Sequence, residues 1–424
     1  MKAVSHNKPR LWGVLGPGLI TGASDDDPSG IATYSQAGTR YGYAMGWTLL
    51  ITYPLMVAIQ AISARIGRTT GLGIAGNLRK HYPAWLLQTI VALLFIANTL
   101  NIGADLGAMA EASRLLLPRA PAWMLIVGFS AVCTLCQIFI DHTRYVSVLK
   151  WLTLSLFAYF AVLCVVPMHW GELFRGLLLP QLHADRQFWL MVVAILGTTI
   201  SPYLFFWQAT QEVEDTKAKP REQPLLRSPQ QAPEALSRIR LDTVIGMGFS
   251  NLVALAIMIT AAATLRAAHV TEIESAVQAA QALRPLAGPF AFAVFALGIV
   301  ATGLLSVPVL AGSAAYALGE AQGWPVGLAR KPRQAKAFYA VIALATVLGA
   351  LANLFALNPV KALVWAAVIN GVVAVPVMAL LMMMAVDPRI MGRFRISRRL
   401  TTLGWLATAL MTGAAVALGM AAIG

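Results

Sequence analysis

Charged residues are scarce in this chain of 424 residues. Asp, Glu, Lys and Arg make up 12% of it, hydrophobic residues make up 58%, and the mean hydropathy is +0.69. Soluble domains carry about 25% charged residues, so a chain of this composition needs lipid as its solvent. Apolar runs of roughly 20 residues recur along the chain, and each can cross a bilayer as a helix. Because the runs are continuous and do not alternate, they exclude a transmembrane β-barrel.

Cysteine and histidine are also rare. The three cysteines, Cys133, Cys136 and Cys164, lie inside apolar segments and form no disulfide framework. The six histidines fall at predicted loops or membrane interfaces, so none is expected to bind an ion at the midplane. The sequence has no H-E-x-x-H motif, no intramembrane Ser/His pair and no nucleotide-binding loop. We therefore expect neither an enzyme nor an ATP-driven pump, and no cofactor.

The hydropathy pattern predicts an all-α integral membrane protein whose residues 1–424 form a single transmembrane domain. The eleven predicted spans cover residues 11–38, 44–64, 86–113, 122–140, 146–167, 187–211, 241–265, 287–318, 337–356, 361–386 and 401–423.

The basic residues predict how these spans are oriented. With the N-terminus in the cytoplasm, 24 of the 32 Lys and Arg residues fall on the cytoplasmic side. The positive-inside rule then predicts a bacterial-type inner-membrane protein with its C-terminus on the opposite side. The net charge of +14 is therefore explained by orientation in a lipid bilayer, and no nucleic-acid partner is expected.

The first span is interrupted by a strongly polar segment. Asp25, Asp26 and Asp27 are adjacent, and Pro28 and Gly30 follow them directly. Carboxylates are costly at membrane depth, and proline removes a backbone hydrogen-bond donor. We therefore predict an unwound segment near the midplane. Its carboxylate and carbonyl oxygens would converge on a cation.

The sixth span has a similar interruption. Pro202 lies within this apolar run, and the hydroxyl residues Thr198 and Ser201 precede it. Broken helices at matching positions in two halves are typical of inverted-repeat transporters, whose substrate binds between the halves.

The two predicted breaks also define the internal organisation. Five spans separate their starts, and because five is odd, the two repeats must have opposite orientations in the membrane. We predict a first repeat at about 11–167, a second at about 187–386, and an extra helix at 401–423. The polar residues 212–240 form the predicted cytoplasmic loop between the repeats.

Several short motifs resemble the NRAMP family of metal transporters, and the similarity runs across nearly the whole chain. They are Gly16-Pro17-Gly18, Asp27-Pro28-Ser29-Gly30, Gln36-Ala37-Gly38, residues 62–67, Thr70-Gly71, Asp105-Leu106 and residues 303–312. The resemblance implies a LeuT-like fold of two five-helix inverted repeats (5+5) with broken helices 1 and 6. It also implies that a divalent metal cation is the substrate.

The sequence departs from the family pattern at the metal site. The resemblance implies that Asp27 coordinates the ion, but Gly30 replaces the family's asparagine ligand. Ser201 replaces the methionine ligand, and Thr198 replaces the alanine whose carbonyl binds the ion. Asp26 adds a further carboxylate beside Asp27. An all-oxygen site suits a hard cation such as Mg²⁺, with Mn²⁺ as the alternative.

Other polar residues are candidates for the cavity or for a proton path. Tyr203 and Gln208 occupy the positions of the family's sixth-helix histidines, and Ala108 occupies that of a third-helix glutamate. The candidates are Asp25, Asp105, Glu111, Tyr203, Gln208 and Asn370.

The predicted function is secondary transport of Mg²⁺ or Mn²⁺ by alternating access. The alternatives are a proton-coupled Mn²⁺/Fe²⁺ importer of the standard NRAMP type and a cation channel. A channel would need a continuous pore lined by polar rings.

Overall fold

The computed structural model describes residues 21–22, 24–140, 156–183, 185–355 and 358–423. Within these ranges all regular secondary structure is helical. The helices of spans one to eleven are Pro28–Tyr41, Gly46–Thr70, Ala84–Arg114, Ala122–Phe139, Phe157–Val165, Arg186–Thr199 with Pro202–Ala218, Ala232–Ala261, Ala291–Gln322, Lys336–Ala352, Pro359–Val386 and Arg398–Ile423.

These helices match the predicted spans. Nine helical stretches in the described part of the chain are long and apolar enough to cross a membrane. One of them, Pro28–Thr70, contains both the second half of span one and all of span two. Of the predicted fifth span, residues 146–155 lie outside the described residues, and so do residues 11–20 of the first span.

Short helices connect several of the spans. They are Ile74–His81 after span two, Trp170–Leu178 after span five, and Ala276–Gln281 and Arg284–Ala287 between spans seven and eight.

The two broken spans lie inside the helix bundle. In the most apolar stretch of span six 89% of the residues are buried, whereas in span four only 11% are. The interior helices approach closely because glycines lie at their contacts. A Cβ added to Gly38 would stand 2.1 Å from the carbonyl oxygen of Met258 in span seven. A Cβ on Gly67 would stand 2.0 Å from that of Ala209 in span six. Small residues allow this backbone-to-backbone packing between membrane helices.

The polar connection between spans six and seven is shorter than the predicted loop at 212–240. Span six continues as helix to Ala218, and span seven begins at Ala232. Three prolines and mixed charge predict a loop here, but helix termini that leave a membrane also carry charge, and Pro233 lies in the first turn of span seven. Arg68 of span two is 1% exposed and makes two hydrogen bonds to this connection. Its backbone oxygen accepts from Leu225 N at 3.1 Å, and its Nη2 donates to Gln231 at 2.9 Å.

Candidate metal centre

The first helix break is built around Asp27. This residue is extended (φ −73°, ψ 169°) and caps the helix that begins at Pro28. Its Oδ1 accepts hydrogen bonds from Gly30 N and from Ser29 Oγ, both at 2.7 Å. The carboxylate is therefore fixed at a helix N-terminus, where the helix dipole favours negative charge. Pro28 is the first helical residue, so its missing N–H removes no helical hydrogen bond.

The other oxygen of Asp27 faces span three. Asn101 Nδ2 donates to Asp27 Oδ2 at 3.3 Å, a long hydrogen bond. The Asn101 side chain is 0% exposed, and its Oδ1 has no hydrogen-bond partner among the described residues.

The two preceding carboxylates share a partner in span seven. Ser250 Oγ lies 2.6 Å from Asp25 Oδ2 and 3.1 Å from Asp26 Oδ1. The second oxygen of each, Asp25 Oδ1 and Asp26 Oδ2, has no hydrogen-bond partner among the residues that the structure describes.

The second helix break has the same backbone plan and a weaker set of polar groups. The helix ends at Thr199, Ser201 is extended (φ −81°, ψ 132°), and Pro202 starts the next helix. Ser201 Oγ donates back to Gly197 O at 2.6 Å and to Thr198 O at 3.0 Å. The hydroxyl proton of Ser201 is used in these hydrogen bonds, but the hydroxyl oxygen keeps lone pairs that can bind a cation.

Gly30 lies where the two helix breaks approach each other. A Cβ at this position would stand 3.0 Å from Thr198 Oγ1 of span six and 3.5 Å from the backbone oxygen of Asp25. Tyr203 adds a direct link, because its hydroxyl donates to Ser24 O at 3.1 Å. Asp27, Gly30 and Thr198 therefore form one junction between the half-helices.

The remaining candidates divide into those near this junction and one that lies apart. Asp105 Oδ2 accepts from Ser306 Oγ of span eight at 2.8 Å, and Asp105 lies one helical turn after Asn101, which contacts Asp27. Glu111 is different. Its side chain is 32% exposed and pairs with Arg114 at 3.4 Å, so the structure does not bring it to the junction.

Two further candidates lie on spans six and ten. Gln208 Oε1 accepts a hydrogen bond from Thr21, which links span six to the start of span one. Asn370 is 1% exposed, and neither polar atom of its side chain has a partner within the described ranges. Its neighbour Gly371 packs against Gly197, so Asn370 lies on the part of span ten that faces the second break.

Four buried carboxyl groups without basic partners in the described part of the chain lie at or near the junction. Asp25, Asp26, Asp27 and Asp105 are each at most 2% exposed. Among the described residues, no Lys, Arg or His nitrogen lies within 4.0 Å of these carboxylates. No three His, Cys, Asp or Glu side chains of this part converge on one point either. Buried charge needs compensation, so a cation held by few carboxylates fits the site.

Three residues that donate hydrogen bonds to the buried carboxylates were not predicted from the sequence: Asn101, Ser250 and Ser306. Asn101 precedes Asp105 by four residues and so lies on the same helix face, a signal that was present in the sequence. Nothing distinguishes Ser250 and Ser306 from other serines in apolar spans, because their partners lie far away in the chain.

A family model agrees with this architecture. Residues 18–421 match the family described as natural resistance-associated macrophage protein-like, or Nramp. The chain belongs to the Nramp family. This membership confirms the family resemblance and the prediction of a transporter that is not an enzyme.

Two curated relatives of this Nramp chain carry the name divalent metal cation transporter MntH. The protein from Erwinia tasmaniensis is 27% identical over 321 residues, which cover 73% of this chain and 72% of the relative. The protein from Aeromonas hydrophila is 28% identical over 312 residues and 70% of each chain. Bacterial relatives and apolar helices together identify a multi-pass inner-membrane protein.

Solved structures confirm the fold class. A point mutant of a manganese transporter from Eremococcus coleocola matches with a TM-score of 0.77 at 16% identity, covering 97% of this chain and 87% of that one. Mhp1, a nucleobase-cation-symport-1 family transporter in a closed conformation, matches with a TM-score of 0.56 at 16% identity and coverages of 96% and 93%. The Nramp chain thus has the LeuT-like fold with broken helices 1 and 6.

Proposed function

We propose that this Nramp protein is a secondary transporter that moves a divalent metal cation, Mg²⁺ or Mn²⁺, across the inner membrane by alternating access. The observation that carries the proposal is the buried Asp27 carboxylate at the junction of two broken helices. Its charge has no basic side chain near it among the described residues, so a metal ion is the natural counterion. The names of the MntH relatives support a divalent cation as the substrate.

The proposed ligands are all oxygen atoms. Asp27 binds the ion directly or through one water molecule, and Ser201 offers a lone pair of its hydroxyl oxygen. Thr198 offers its hydroxyl group or its carbonyl, while the backbone of Gly30 lines the same space. Asp26 contributes negative field from the preceding residue. Such a set suits an ion that keeps part of its hydration shell.

The absence of a thioether at position 201 favours a hard cation. A thioether is a soft ligand that selects transition metals, whereas hydroxyl and carboxylate oxygens suit Mg²⁺ and Mn²⁺. Mn²⁺ has additional support, because one solved structure with this fold carries the name manganese transporter.

The standard proton-coupled Mn²⁺/Fe²⁺ importer remains the second candidate, and the MntH names favour it. A cation channel has less support. Its ion path would need a continuous polar pore, whereas Asp27 is 2% exposed and enclosed by several spans.

The test is uptake by the purified protein in liposomes, with Mg²⁺, Mn²⁺, Ca²⁺ and Cd²⁺ as competitors. We expect slow, saturable uptake in which Mg²⁺ or Mn²⁺ competes best, and no uptake by the Asp27→Ala variant. Fast, non-saturating flux would indicate a channel. Strong preference for Cd²⁺ would contradict the all-oxygen site.

Metal-driven acidification of the liposome lumen would identify the proton-coupled importer. The membrane voltage would be clamped with an ionophore, so that protons do not enter merely in response to charge movement. A lumen whose pH stays constant during metal uptake would support transport without obligatory proton cotransport.

A further inference from the structure

One face of span three points toward the proposed ion position. Asn101 and Asp105 are four residues apart, so they lie on one side of the helix Ala84–Arg114. Both side chains are 0% exposed. Ser306 of span eight donates to one oxygen of Asp105 at 2.8 Å, which holds that carboxylate in place.

This face contacts the proposed metal ligand directly. Asn101 Nδ2 is the group that donates to Asp27 Oδ2, the carboxylate oxygen not engaged by the helix cap. The length of this bond, 3.3 Å, leaves it weak enough to be exchanged for a stronger interaction.

Asn101 and Asp105 each have one buried side-chain oxygen atom without a hydrogen-bond partner in the described part of the chain. These atoms are Asn101 Oδ1 and Asp105 Oδ1. A buried acceptor without a partner destabilises a protein, and such an atom in a native structure calls for an explanation. A cation between Asp27 and span three would satisfy Asp105 Oδ1, and it would satisfy Asn101 Oδ1 once the amide group is turned over.

Span six offers less to the ion than the family pattern implies. Gly30 has no side chain, and the Ser201 proton is committed to carbonyl groups of its own helix. Span three therefore adds two oxygen atoms without partners, within the ranges described, to those of Asp25, Asp26 and Thr198.

We infer that Asn101 and Asp105 complete the ion site, as ligands that bind the cation held by Asp27 directly or through water. The inference rests on the proposed function and assigns it two further ligands. When both are ionised, Asp27 and Asp105 supply two negative charges, which balance one divalent ion. The Asn101 amide donates to Asp27 in this structure. Turning it over would present Oδ1 to the ion, since the amide oxygen and nitrogen have nearly the same shape.

The decisive experiment replaces the proposed amide ligand with a soft one. Dissociation constants for Mn²⁺ and Cd²⁺ are measured by calorimetry on purified wild-type protein and on Asn101→Cys. A ligand changes selectivity, whereas a residue that only positions Asp27 changes both affinities alike. We expect the preference for Cd²⁺ over Mn²⁺ to rise by about tenfold.

Asn98→Cys is the matched control. Asn98 is equally buried in the same helix, and its Oδ1 also has no partner among the described residues, but its Nδ2 donates to Leu310 O at 2.9 Å in span eight and not to Asp27. The same thiol at position 98 should leave the Cd²⁺/Mn²⁺ ratio unchanged. A similar rise in both variants would overturn the inference, because it would show that any cysteine on this helix binds Cd²⁺.

Two further variants keep the inference testable if Asn101→Cys does not fold. Asp105→Asn should weaken Mn²⁺ binding by about tenfold. Asn101→Asp adds a carboxylate of the same size, so Mn²⁺ should raise its melting temperature more than that of the wild type. Wild-type behaviour of Asp105→Asn, Asn101→Asp and Asn101→Cys would overturn the inference.

Metal binding by the wild type and the variants distinguishes a failure of this inference from a failure of the proposed function. If the wild type binds Mn²⁺ and Asp27→Ala does not, while all span-three variants bind normally, only the added ligands are wrong. If the wild type binds neither Mn²⁺ nor Mg²⁺, both proposals fail.

Discussion

The two helix breaks share a backbone design and differ in their side chains. In each, an extended residue precedes a proline that starts the second half-helix: Asp27 before Pro28, and Ser201 before Pro202. Asp27 caps the helix ahead of it, whereas Ser201 makes no such cap and donates backward into the helix behind it. The first break therefore exposes a charge to the junction, and the second exposes little more than backbone and a hydroxyl oxygen.

This difference indicates that the two halves of an inverted repeat can have different roles in ion binding. Both halves need a break to create the junction, and proline with an extended residue is sufficient for that. Only one half needs to carry the charge that binds a cation. In the proposed site span one carries it, and Ser250 of span seven and Asn101 of span three donate hydrogen bonds to its carboxylates.

The largest expected effect comes from removing the charge of the first break. Asp27→Ala should weaken Mn²⁺ binding at least about 100-fold, because it removes a buried carboxylate ligand. Ser201→Ala removes only a neutral oxygen and should weaken binding by no more than about threefold. Calorimetry on both purified variants compares the breaks directly. Equal losses would contradict the division between them.

A second comparison concerns the glycines that flank the breaks. Gly197→Ala would drive its Cβ to within 2.0 Å of the Ala367 backbone oxygen, so we expect a loss of about 3 kcal/mol in stability. Gly30→Ala meets the Thr198 side chain at 3.0 Å, which can shift. It should cost less stability and weaken metal binding instead. Thermal unfolding with and without Mn²⁺ separates the two effects. A Gly197→Ala protein as stable as the wild type would show that spans six and ten do not pack this closely.

A smaller effect is expected at the support of the first break. Ser250→Ala removes the hydroxyl group beside Asp25 and Asp26 and should lower stability by about 1–2 kcal/mol in the metal-free protein. Thr260→Val is the matched control in span seven, because its hydroxyl donates to the Tyr159 backbone oxygen at 3.2 Å and not to a carboxylate. Only Ser250→Ala should also change metal affinity. If the two variants change it alike, Ser250 does not support the site.

The smallest expected effect is a change of selectivity at the second break. Ser201→Met introduces the soft thioether of the family pattern and should raise the preference for Cd²⁺ by a few-fold, about three to ten. Competition between Cd²⁺ and Mn²⁺ during liposome uptake measures it. A variant that transports with unchanged preference would mean that position 201 does not face the ion.

Local features made much of this architecture predictable. Eleven apolar runs and two prolines preceded by polar residues define the spans and the breaks, because helix breaking depends on neighbouring residues. Asp27 was predictable for the same reason: an N-cap carboxylate before Pro28 is encoded within four residues.

The rest depends on contacts between distant segments. Ser250 pairs with Asp25 across 225 positions, and Asn101 contacts Asp27 across 74. A single sequence does not show which distant residues form such pairs. The predicted loop at 212–240 is too long, because prolines and mixed charge also occur at helix ends: Arg238 lies in the helix of span seven and pairs with the buried Glu212 of span six at 2.5 Å.

The most direct test of the proposed metal site is an anomalous diffraction map of crystals grown with Mn²⁺. We expect one strong peak at the junction of the two breaks, within coordination distance of Asp27 or separated from it by one water molecule. Oxygen atoms of spans one and six should surround that peak, and Asn101 and Asp105 should face it. A peak that lies away from Asp27, or its persistence in crystals of Asp27→Ala, would contradict the proposed site.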